Sequence, residues 1–262
     1  MRRPAAAIII IFLVLVANAD TAGAYRLIEH RDWDLAVEGR VRFTVKNVRG
    51  SIEVIGWDRD EIEISARIRI RAASKNKAQK IYGKIEFEVC QEPGNISIKA
   101  HVPEYRKDSM SGEGNTAVWI DYSIRVPYTT DLDVRSVSGD IAVVQVGGTF
   151  RVVSERGSID MLSRGGEGVL KTGSGDIGCE LAFLPAGGKL RLKTGNGDLS
   201  LGIPAETSAM LSAKTRVGRV RVGLDMTDID KQKRKILEGV LGGGDGKILL
   251  ESANGDVTIK EL

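Results

Sequence analysis

Hydrophobic and polar residues alternate along most of the second half of the chain. Leu190 and Leu192 flank a charged residue, and Leu199 and Leu201 repeat the pattern on the other side of a short polar segment. A period of two predicts β-strands with one face buried and the other face in water. Runs of this kind occur in pairs, so the sequence predicts a series of short two-strand units.

The paired strands form six repeats that can be aligned on one glycine. The second strand of each repeat follows that glycine, which is Gly139, Gly157, Gly175, Gly197, Gly218 or Gly255. The first four intervals are 18, 18, 22 and 21 residues, and the last is 37 residues because it contains an insertion. Repeats of this length, each with one apolar face, must stack on one another. We therefore predict an all-β fold, a stacked β-solenoid that resembles a parallel β-helix, with repeat coils over residues 130–262.

A seventh copy lies apart from the others, at residues 41–54, with its corner at Gly50. Residues 55–127, between this first coil and the six repeats, are predicted to be a β-rich excursion. Residues 74–83 lack period-two alternation and are predicted to be a helix or a polar loop. The polar segment at 104–116 is predicted to be a mobile loop. Alternation predicts further strands near residues 61–71, 84–91, 95–102 and 117–126.

Each repeat carries a glycine corner and, three residues earlier, a hydroxyl side chain. The hydroxyl row consists of Ser136, Ser154, Thr172, Thr194, Thr215 and Ser252, with Asn47 in the same place in the first coil. Glycine is expected where a corner needs a positive φ or where the next backbone approaches closely. Short polar side chains at turns ordinarily bond to the local backbone. We interpret the row as a device that joins adjacent coils, with a row of functional hydroxyls as the alternative.

An aspartate follows the corner glycine in four repeats and raises the question of catalysis. This acidic row consists of Asp140, Asp176, Asp198 and Asp256. With coils stacked in sequence order, Asp176 would lie about 4.8 Å from Asp198, and Arg219 would separate Asp198 from Asp256. Such a pair resembles the carboxylates of a retaining glycosidase, but aspartate after a turn glycine ordinarily bonds to the backbone. We expect corner capping, with no catalytic, cofactor-binding or metal-binding residues.

The remaining reactive side chains give no catalytic pattern. His30 and His101 lack metal-ligand spacing. Cys179 takes an inward apolar position in its repeat and is predicted to pack in the core. Cys90 lies on a different predicted strand, and nothing in the sequence brings the two sulfurs together. We therefore favour free thiols over a disulfide.

The N-terminus has the pattern of a secretory signal peptide. Two arginines precede an apolar run at residues 5–17, and small residues follow, with candidate cleavage sequences ANA at 17–19 and AGA at 22–24. The apolar run is too short to span a membrane. The signal peptide would occupy residues 1–24 and leave 25–262 as a single domain without a transmembrane segment. We expect export to the periplasm, the cell surface or the extracellular space.

Charge is nearly balanced over the whole chain. The sequence has 38 Lys and Arg against 35 Asp and Glu, a formal net charge of +3. Removal of the signal peptide would leave 36 basic and 34 acidic residues, a net charge of +2. Aromatic residues make up 5% of the chain, too few for a stacking platform beside a basic stripe. These values argue against a nucleic-acid partner.

The insertion before the last repeat carries a basic cluster at residues 225–235. Its apolar residues are spaced as in an amphipathic helix that begins at Thr227 and ends at Gly242. The basic side of this helix could contact anionic lipid or glycan. The alternative is a short element that covers the solenoid while its charges stay solvated.

Three segments of the chain resemble a known bacterial family. They are GSIEVIGWDRDEIEI (50–64), YSIRVPYTTDLDVRSVSGDIAV (122–143) and LEGVLGGGDGKILLESANGDVTI (237–259). On these residues the sequence resembles the bacterial putative-adhesin β-strand-repeat family, a domain of unknown function, from about residue 40 to the end. The resemblance implies an exported or envelope-associated β-solenoid with a provisional role in adhesion. The resemblance identifies no catalytic residues in this chain.

The sequence therefore favours a non-enzymatic envelope solenoid that binds a cell-surface or envelope partner, a glycan or a protein. A carbohydrate-active β-helix enzyme is the alternative from another class. A purely structural or polymerising envelope scaffold is the third hypothesis. No cofactor is expected for the leading hypothesis.

Export predicts a processed N-terminus. Intact-mass measurement or N-terminal sequencing of the protein from the periplasm or medium should give a chain that starts after Ala24. Recovery of the full-length chain from the cytoplasm alone would contradict both export and the adhesive role.

Overall fold

The computed structural model describes residues 24–102 and 116–262. Residues 1–23, which belong to the predicted signal peptide, and residues 104–115, which belong to the predicted mobile loop, lie outside the described residues. The N-terminal half contains β1 (Tyr25–Ala36), β2 (Arg42–Arg49), β3 (Ile52–Trp57), β4 (Glu61–Ala72), α1 (Lys75–Tyr82), β5 (Glu86–Glu92), β6 (Asn95–His101), β7 (Ala117–Pro127) and β8 (Asp131–Ser138). The C-terminal half contains β9 (Ile141–Arg156), β10 (Ile159–Ser174), β11 (Ile177–Leu181), β12 (Lys189–Asn196), β13 (Leu199–Ile203), β14 (Ala209–Val217), β15 (Val220–Gly223), β16 (Asp228–Lys233), β17 (Ile236–Leu241), β18 (Gly246–Asn254) and β19 (Val257–Glu261).

The strands form two ladders that share one hydrophobic core, which confirms the predicted all-β solenoid. The first ladder runs in the order β5, β6, β2, β8, β9, β10, β12, β18, β14, β17 and β16. The second ladder runs in the order β1, β4, β7, β3, β9, β10, β11, β13, β19 and β15. The long strands β9 and β10 bend at a glycine pair, so each contributes one half to each ladder.

The inward side chains stack in register along each ladder. Leu132 pairs with Phe150, and Phe150 pairs with Gly168 in the next rung. Gly168 breaks the apolar column in the sequence, and the structure gives the reason. A Cβ on Gly168 would overlap the Phe150 carbonyl oxygen and lie 2.7 Å from Cδ2 of the Phe150 ring, so Phe150 leaves no room for a side chain here. A large and a small residue in adjacent rungs keep the core closely packed.

The last repeat does not lie at the end of the stack. Strand β18 pairs with β12 on one side and β14 on the other, and β19 lies between β13 and β15 in the same way. The coil at residues 246–261 is therefore inserted between two coils that are consecutive in sequence. The prediction that the coils stack in sequence order is wrong at this point.

The 55–127 segment extends the stack. Strand β6 runs parallel to β2, and β7 runs parallel to β3, so both ladders continue past the first coil. Helix α1 occupies the segment for which a helix or a loop was predicted. It begins after Ser74, whose Oγ accepts a hydrogen bond from the Lys77 amide at 3.3 Å, and it buries Ala78 and Ile81 against the core. Among the described residues, α1 is the only helix, and it is too short and too polar to cross a bilayer.

The prediction of an amphipathic helix from Thr227 to Gly242 is wrong. Residues 228–233 and 236–241 form an antiparallel hairpin, and β17 pairs with β14. This pairing buries Leu237 and Leu241. Without β17, the edge of β14 would have a row of unpaired amides and carbonyls. The hydrogen bonds that this pairing supplies outweigh the local preference for a helix.

The glycine corners bring the backbones of consecutive coils into contact. Gly175 has φ of +142°, a conformation that L-residues other than glycine rarely adopt. A Cβ at this position would overlap the carbonyl group of Gly157 in the neighbouring coil. The corner glycine of the next coil, Gly197, has the same conformation and lies against the carbonyl of Gly175.

Substitution of a corner glycine should therefore destabilise the stack. We expect Gly175→Val to lower the free energy of unfolding by roughly 1–3 kcal/mol because of backbone strain, with steric overlap adding to this. Gly223→Val is the control, since Gly223 lies in a strand and its Cβ would have no neighbour nearer than 3.8 Å. Thermal melts of the two variants test the difference. Equal tolerance of valine at Gly139, Gly175 and Gly197 would contradict the corner model.

Candidate binding surface

The hydroxyl row lies inside the stack and bonds one coil to the next. Thr172, Thr194 and Thr215 each donate a hydrogen bond to the corner glycine carbonyl of the preceding rung, at 2.9, 2.9 and 2.7 Å. Ser252 does the same at 3.0 Å and Ser154 at 3.4 Å. All of these residues are buried, so their hydroxyls do not face a partner.

The first rungs depart from this pattern. The Ser136 hydroxyl is buried without a hydrogen-bond partner among the described residues. The carbonyl oxygen of Gly50, which this hydroxyl would reach, instead accepts a bond from Asn47 Nδ2 at 3.2 Å. The Asn47 amide also donates to the Ile120 carbonyl at 2.7 Å. The longer asparagine side chain thus joins the first coil to β7.

The acidic row forms a ladder of hydrogen bonds along the opposite side of each corner. Asp176 Oδ1 accepts a bond from the Asp198 amide at 2.8 Å, and Asp198 Oδ1 accepts one from the Asp256 amide at 2.7 Å. Asp140 Oδ1 accepts a bond from the Ser158 amide at 2.8 Å. The predicted order of the row is corrected here: Asp256 follows Asp198 directly, because the last coil is inserted before the coil of Arg219.

This arrangement suits backbone capping better than acid–base chemistry. One oxygen of each carboxylate is bonded to the amide of the next rung, so the groups are held parallel along the corner. The Arg219 amide and the Arg221 guanidinium lower the pKa of Asp256. A glycosidase needs one carboxyl group whose pKa is raised so that it can protonate the leaving group. The pKa of Asp256 is instead lowered.

The cysteines and histidines lie apart from one another. Both thiols are free, and burial raises the pKa of Cys179 to about 12. Cys90 is half-buried on β5. His101 Nε2 lies 2.9 Å from Glu88 Oε2. Within residues 24–102 and 116–262, no three His, Cys, Asp or Glu side chains come together as a metal site.

Across its central strands, the outward side of the first ladder is strongly basic. We call its outward side chains on β2, β8, the second halves of β9 and β10, β12, β18 and β14 the basic face. Its cations are Arg42, Lys46, Arg135, Arg151, Lys171, Lys189, Arg191, Lys193, Lys214, Arg216 and Lys247. Its anions are Asp131, Asp133, Glu155, Glu167 and Glu251. The balance is 11 − 5 = +6, so the rest of the chain sums to 3 − 6 = −3.

Glu251 is the centre of a charge cluster on the basic face. It forms ion pairs with Lys214 at 2.6 Å, Arg191 at 2.7 Å and Lys193 at 3.3 Å. These hydrogen bonds, led by the one from Lys214, lower the pKa of Glu251 to about 2 despite partial burial. One carboxylate faces three cations, so the cluster retains a positive charge at neutral pH.

A groove of about 630 Å³ crosses the basic face. Arg42, Arg151, Lys189 and Lys247 line it, and Val169 and Leu249 are among its apolar residues. Arg151 on β9 and Lys189 on β12 are separated by one strand, β10, and both side chains are exposed. The lining therefore combines exposed cations with apolar surface.

The basic face was not predicted from the sequence. The apolar residues of the inward columns define the repeats, and the outward charges were expected to be solvated. A tabulation of outward positions by rung would have shown the cations, because they recur at fixed repeat positions. The second corner, with its glycine pairs at 147–148 and 165–166, was also overlooked, although the two pairs are 18 residues apart like the neighbouring corner glycines.

Two solved structures are similar to this chain. A solved structure described as a putative cell adhesion protein from Clostridium sporogenes has a TM-score of 0.50 and 10% identity, covering 90% of this chain and 100% of that one. A putative adhesin from Bacteroides fragilis has a TM-score of 0.42 and 12% identity, covering 89% and 97%. At such low identities the likeness concerns the fold alone. No protein with a curated function matches the sequence.

The family model described as Toastrack DUF4097 matches residues 50–260, which is most of the chain. This match includes the first-coil corner, the inserted last coil and all strands of the two ladders except β1 and β2. The chain therefore belongs to the Toastrack DUF4097 family, a domain of unknown function.

Proposed function

We propose that this protein is a non-enzymatic, exported β-solenoid that binds a polyanionic polymer of the cell envelope through its basic face. The observation that carries the proposal is the charge of this face, +6 on a chain whose net charge is +3. Like charges collected on one surface repel each other, and a polyanion that replaces their counterions relieves the repulsion. The signal-peptide pattern and the adhesin-like structural neighbours support an envelope location.

The rigid spacing of the cations suits a linear polymer. Neighbouring strands lie about 4.8 Å apart, and the cations occur on consecutive rungs of the ladder. A polymer with regularly spaced anionic groups can contact several rungs at once, so that weak contacts add together. The ladder holds the backbone in place, and binding orders only side chains.

The acidic row supports the non-enzymatic part of the proposal. Its carboxylates cap amides of the next rung, at distances of 2.7 to 2.9 Å where the acceptor is Asp140, Asp176, Asp198 or Asp256. The row lies at the corners, away from the outward positions of the basic face. The polymer and the carboxylates are therefore on different surfaces.

Removal of two cations should weaken binding to a polyanion. Near an anionic surface each Lys or Arg contributes about 1 kcal/mol, so Arg151→Gln/Lys189→Gln should reduce the affinity roughly 30-fold. Biolayer interferometry with immobilised polyphosphate at 50 mM and 500 mM NaCl provides the measurement, and the higher salt should weaken the parent protein strongly.

The matched control removes two cations from the second ladder. Arg221→Gln/Lys260→Gln loses the same charge, but these side chains pair with Asp256 and Glu180 on the other side of the solenoid. We expect this variant to bind almost as tightly as the parent. Equal losses in the two variants would show that net charge alone matters and would contradict a binding role for the basic face.

The acidic row gives a separate test against an enzyme. Asp176→Asn/Asp198→Asn keeps an oxygen that can accept the next amide, so the fold and polyanion binding should survive with a small loss of stability. Parent and variant are incubated with a panel of envelope polysaccharides while reducing ends and unsaturated products are measured. We expect no product from either protein. Product that the parent forms and the folded double variant does not would establish a glycan-cleaving enzyme.

A further inference from the structure

A second groove lies at the corner where β9 and β10 bend from one ladder to the other. We call it the corner groove, and its volume is about 730 Å³. Its principal lining residues are Tyr128, Gly147, Gly148, Arg164, Gly165, Gly166, Glu167 and Phe183. Thr149 and Glu167 line both this groove and the groove on the basic face, so the two are continuous.

The floor of the corner groove consists of backbone. Gly165 and Gly166 both have φ of +135°. A Cβ on Gly165 would overlap the Phe183 ring, and one on Gly166 would overlap the Gly148 carbonyl. The absence of side chains at these positions therefore lets the Phe183 ring pack on the Gly165 backbone and lets the Gly166 and Gly148 backbones approach each other closely.

Two aromatic residues stand at opposite ends of this floor. The Gly147 amide donates a hydrogen bond to the Tyr128 carbonyl at 2.7 Å, and the Gly166 amide donates to the Phe183 carbonyl at 3.1 Å. These bonds fix the backbone of both aromatic residues relative to the glycines. Phe183 remains 57% exposed although its ring contacts the floor. An exposed, positioned aromatic ring offers an apolar face to a ligand.

The charged side chains of the groove differ in how they are paired. Arg40 forms two hydrogen bonds with the Asp131 carboxylate, at 3.0 and 2.7 Å. The Arg164 guanidinium lies 4.1 Å from the centroid of the Tyr128 ring, and it has no carboxylate partner within the described part of the chain. Stacking on the ring leaves the edge of the guanidinium available for a carboxylate. Glu167 Oε2 accepts the Lys189 amide at 3.0 Å, which fixes its position as an acceptor.

The combination matches one class of ligand. Sugar rings have an apolar C–H face that stacks on aromatic side chains and hydroxyl groups that bond to carboxylates and peptide groups. A hexuronic acid adds a carboxylate, which the planar guanidinium of Arg164 can bind through two hydrogen bonds. A phosphate polymer would gain nothing from Phe183, and a lipid chain would desolvate the peptide groups of the floor.

We propose that the corner groove binds a uronic-acid residue of an acidic glycan, whose chain continues onto the basic face. The uronic ring stacks on Phe183, its carboxylate pairs with Arg164, and its hydroxyls bond to Glu167 and the glycine backbone. The proposal rests on the proposed function, because it names the sugar of the polyanion that the basic face binds.

The test compares three probes of the same chain length by isothermal titration calorimetry. They are a tetramer of galacturonic acid, the neutral galactose tetramer and tetraphosphate. The parent should bind the uronate at least tenfold more tightly than either other probe. Phe183→Ala and Arg164→Gln should each reduce uronate affinity roughly tenfold and leave tetraphosphate affinity unchanged.

Two further variants control for the fold. Phe183→Tyr keeps the ring and should retain the uronate affinity, which separates loss of stacking from disturbance of the corner. Ile229→Ala removes an exposed apolar side chain from β16, outside both the corner groove and the basic face, and should change neither affinity. Circular dichroism and thermal melts confirm that each variant is folded.

The outcomes distinguish this proposal from the proposed function. Parent-level uronate binding by Phe183→Ala, or equal affinity of the parent for uronate and tetraphosphate, would overturn the corner-groove proposal and leave polyanion binding by the basic face intact. Absence of binding to both anionic probes would overturn both proposals.

Discussion

The close approach of successive backbones at the glycine corner is the constraint on which the rest of the structure depends. The Gly175 amide donates to the Asn196 carbonyl at 2.8 Å, and the Ile177 amide donates to the Asp198 carbonyl at 2.9 Å. At the corner itself, a Cβ on Gly175 or Gly197 would overlap the carbonyl of the adjacent coil, so the coils can stack this closely only where the corner residue is glycine. The glycine column therefore sets the register of both ladders, and it places the hydroxyl and acidic rows where each can bond to the next rung.

This constraint divides the side chains into two groups. Inward and corner positions are committed to stacking, and most polar groups there bond to the backbone of an adjacent coil. Outward positions have no such role, so their residue types can vary without disturbing the ladder. The uneven charge of the surface is a property of these outward positions: the basic face carries a charge of +6, and the rest of the chain sums to −3. A repeat protein of this kind can change its ligand while its core stays the same.

Sequence patterns predict features that depend on local chemistry. Period-two alternation identified both strands of every coil, and the glycine column identified the corner, because each follows from backbone geometry. The helix at residues 75–82 fell within a segment for which a helix or a loop was predicted, and Ser74 supplies its N-terminal cap. The hairpin at residues 228–241 was not predicted, because its strands are stabilised by the edge of β14, which is distant in sequence. The corner groove was missed for a related reason: Tyr128, Arg164 and Phe183 come from three different rungs.

The position of the last coil has a consequence for the order in which the protein can be assembled. Strands β18 and β19 lie between coils that leave the ribosome earlier, so the edges of β12 and β13 stay unpaired until the final residues are available. A chain that stops before residue 246 would lack the rung that joins β14 and β15 to the remainder of the stack. Completion of the C-terminal end of the solenoid is thereby coupled to completion of the polypeptide.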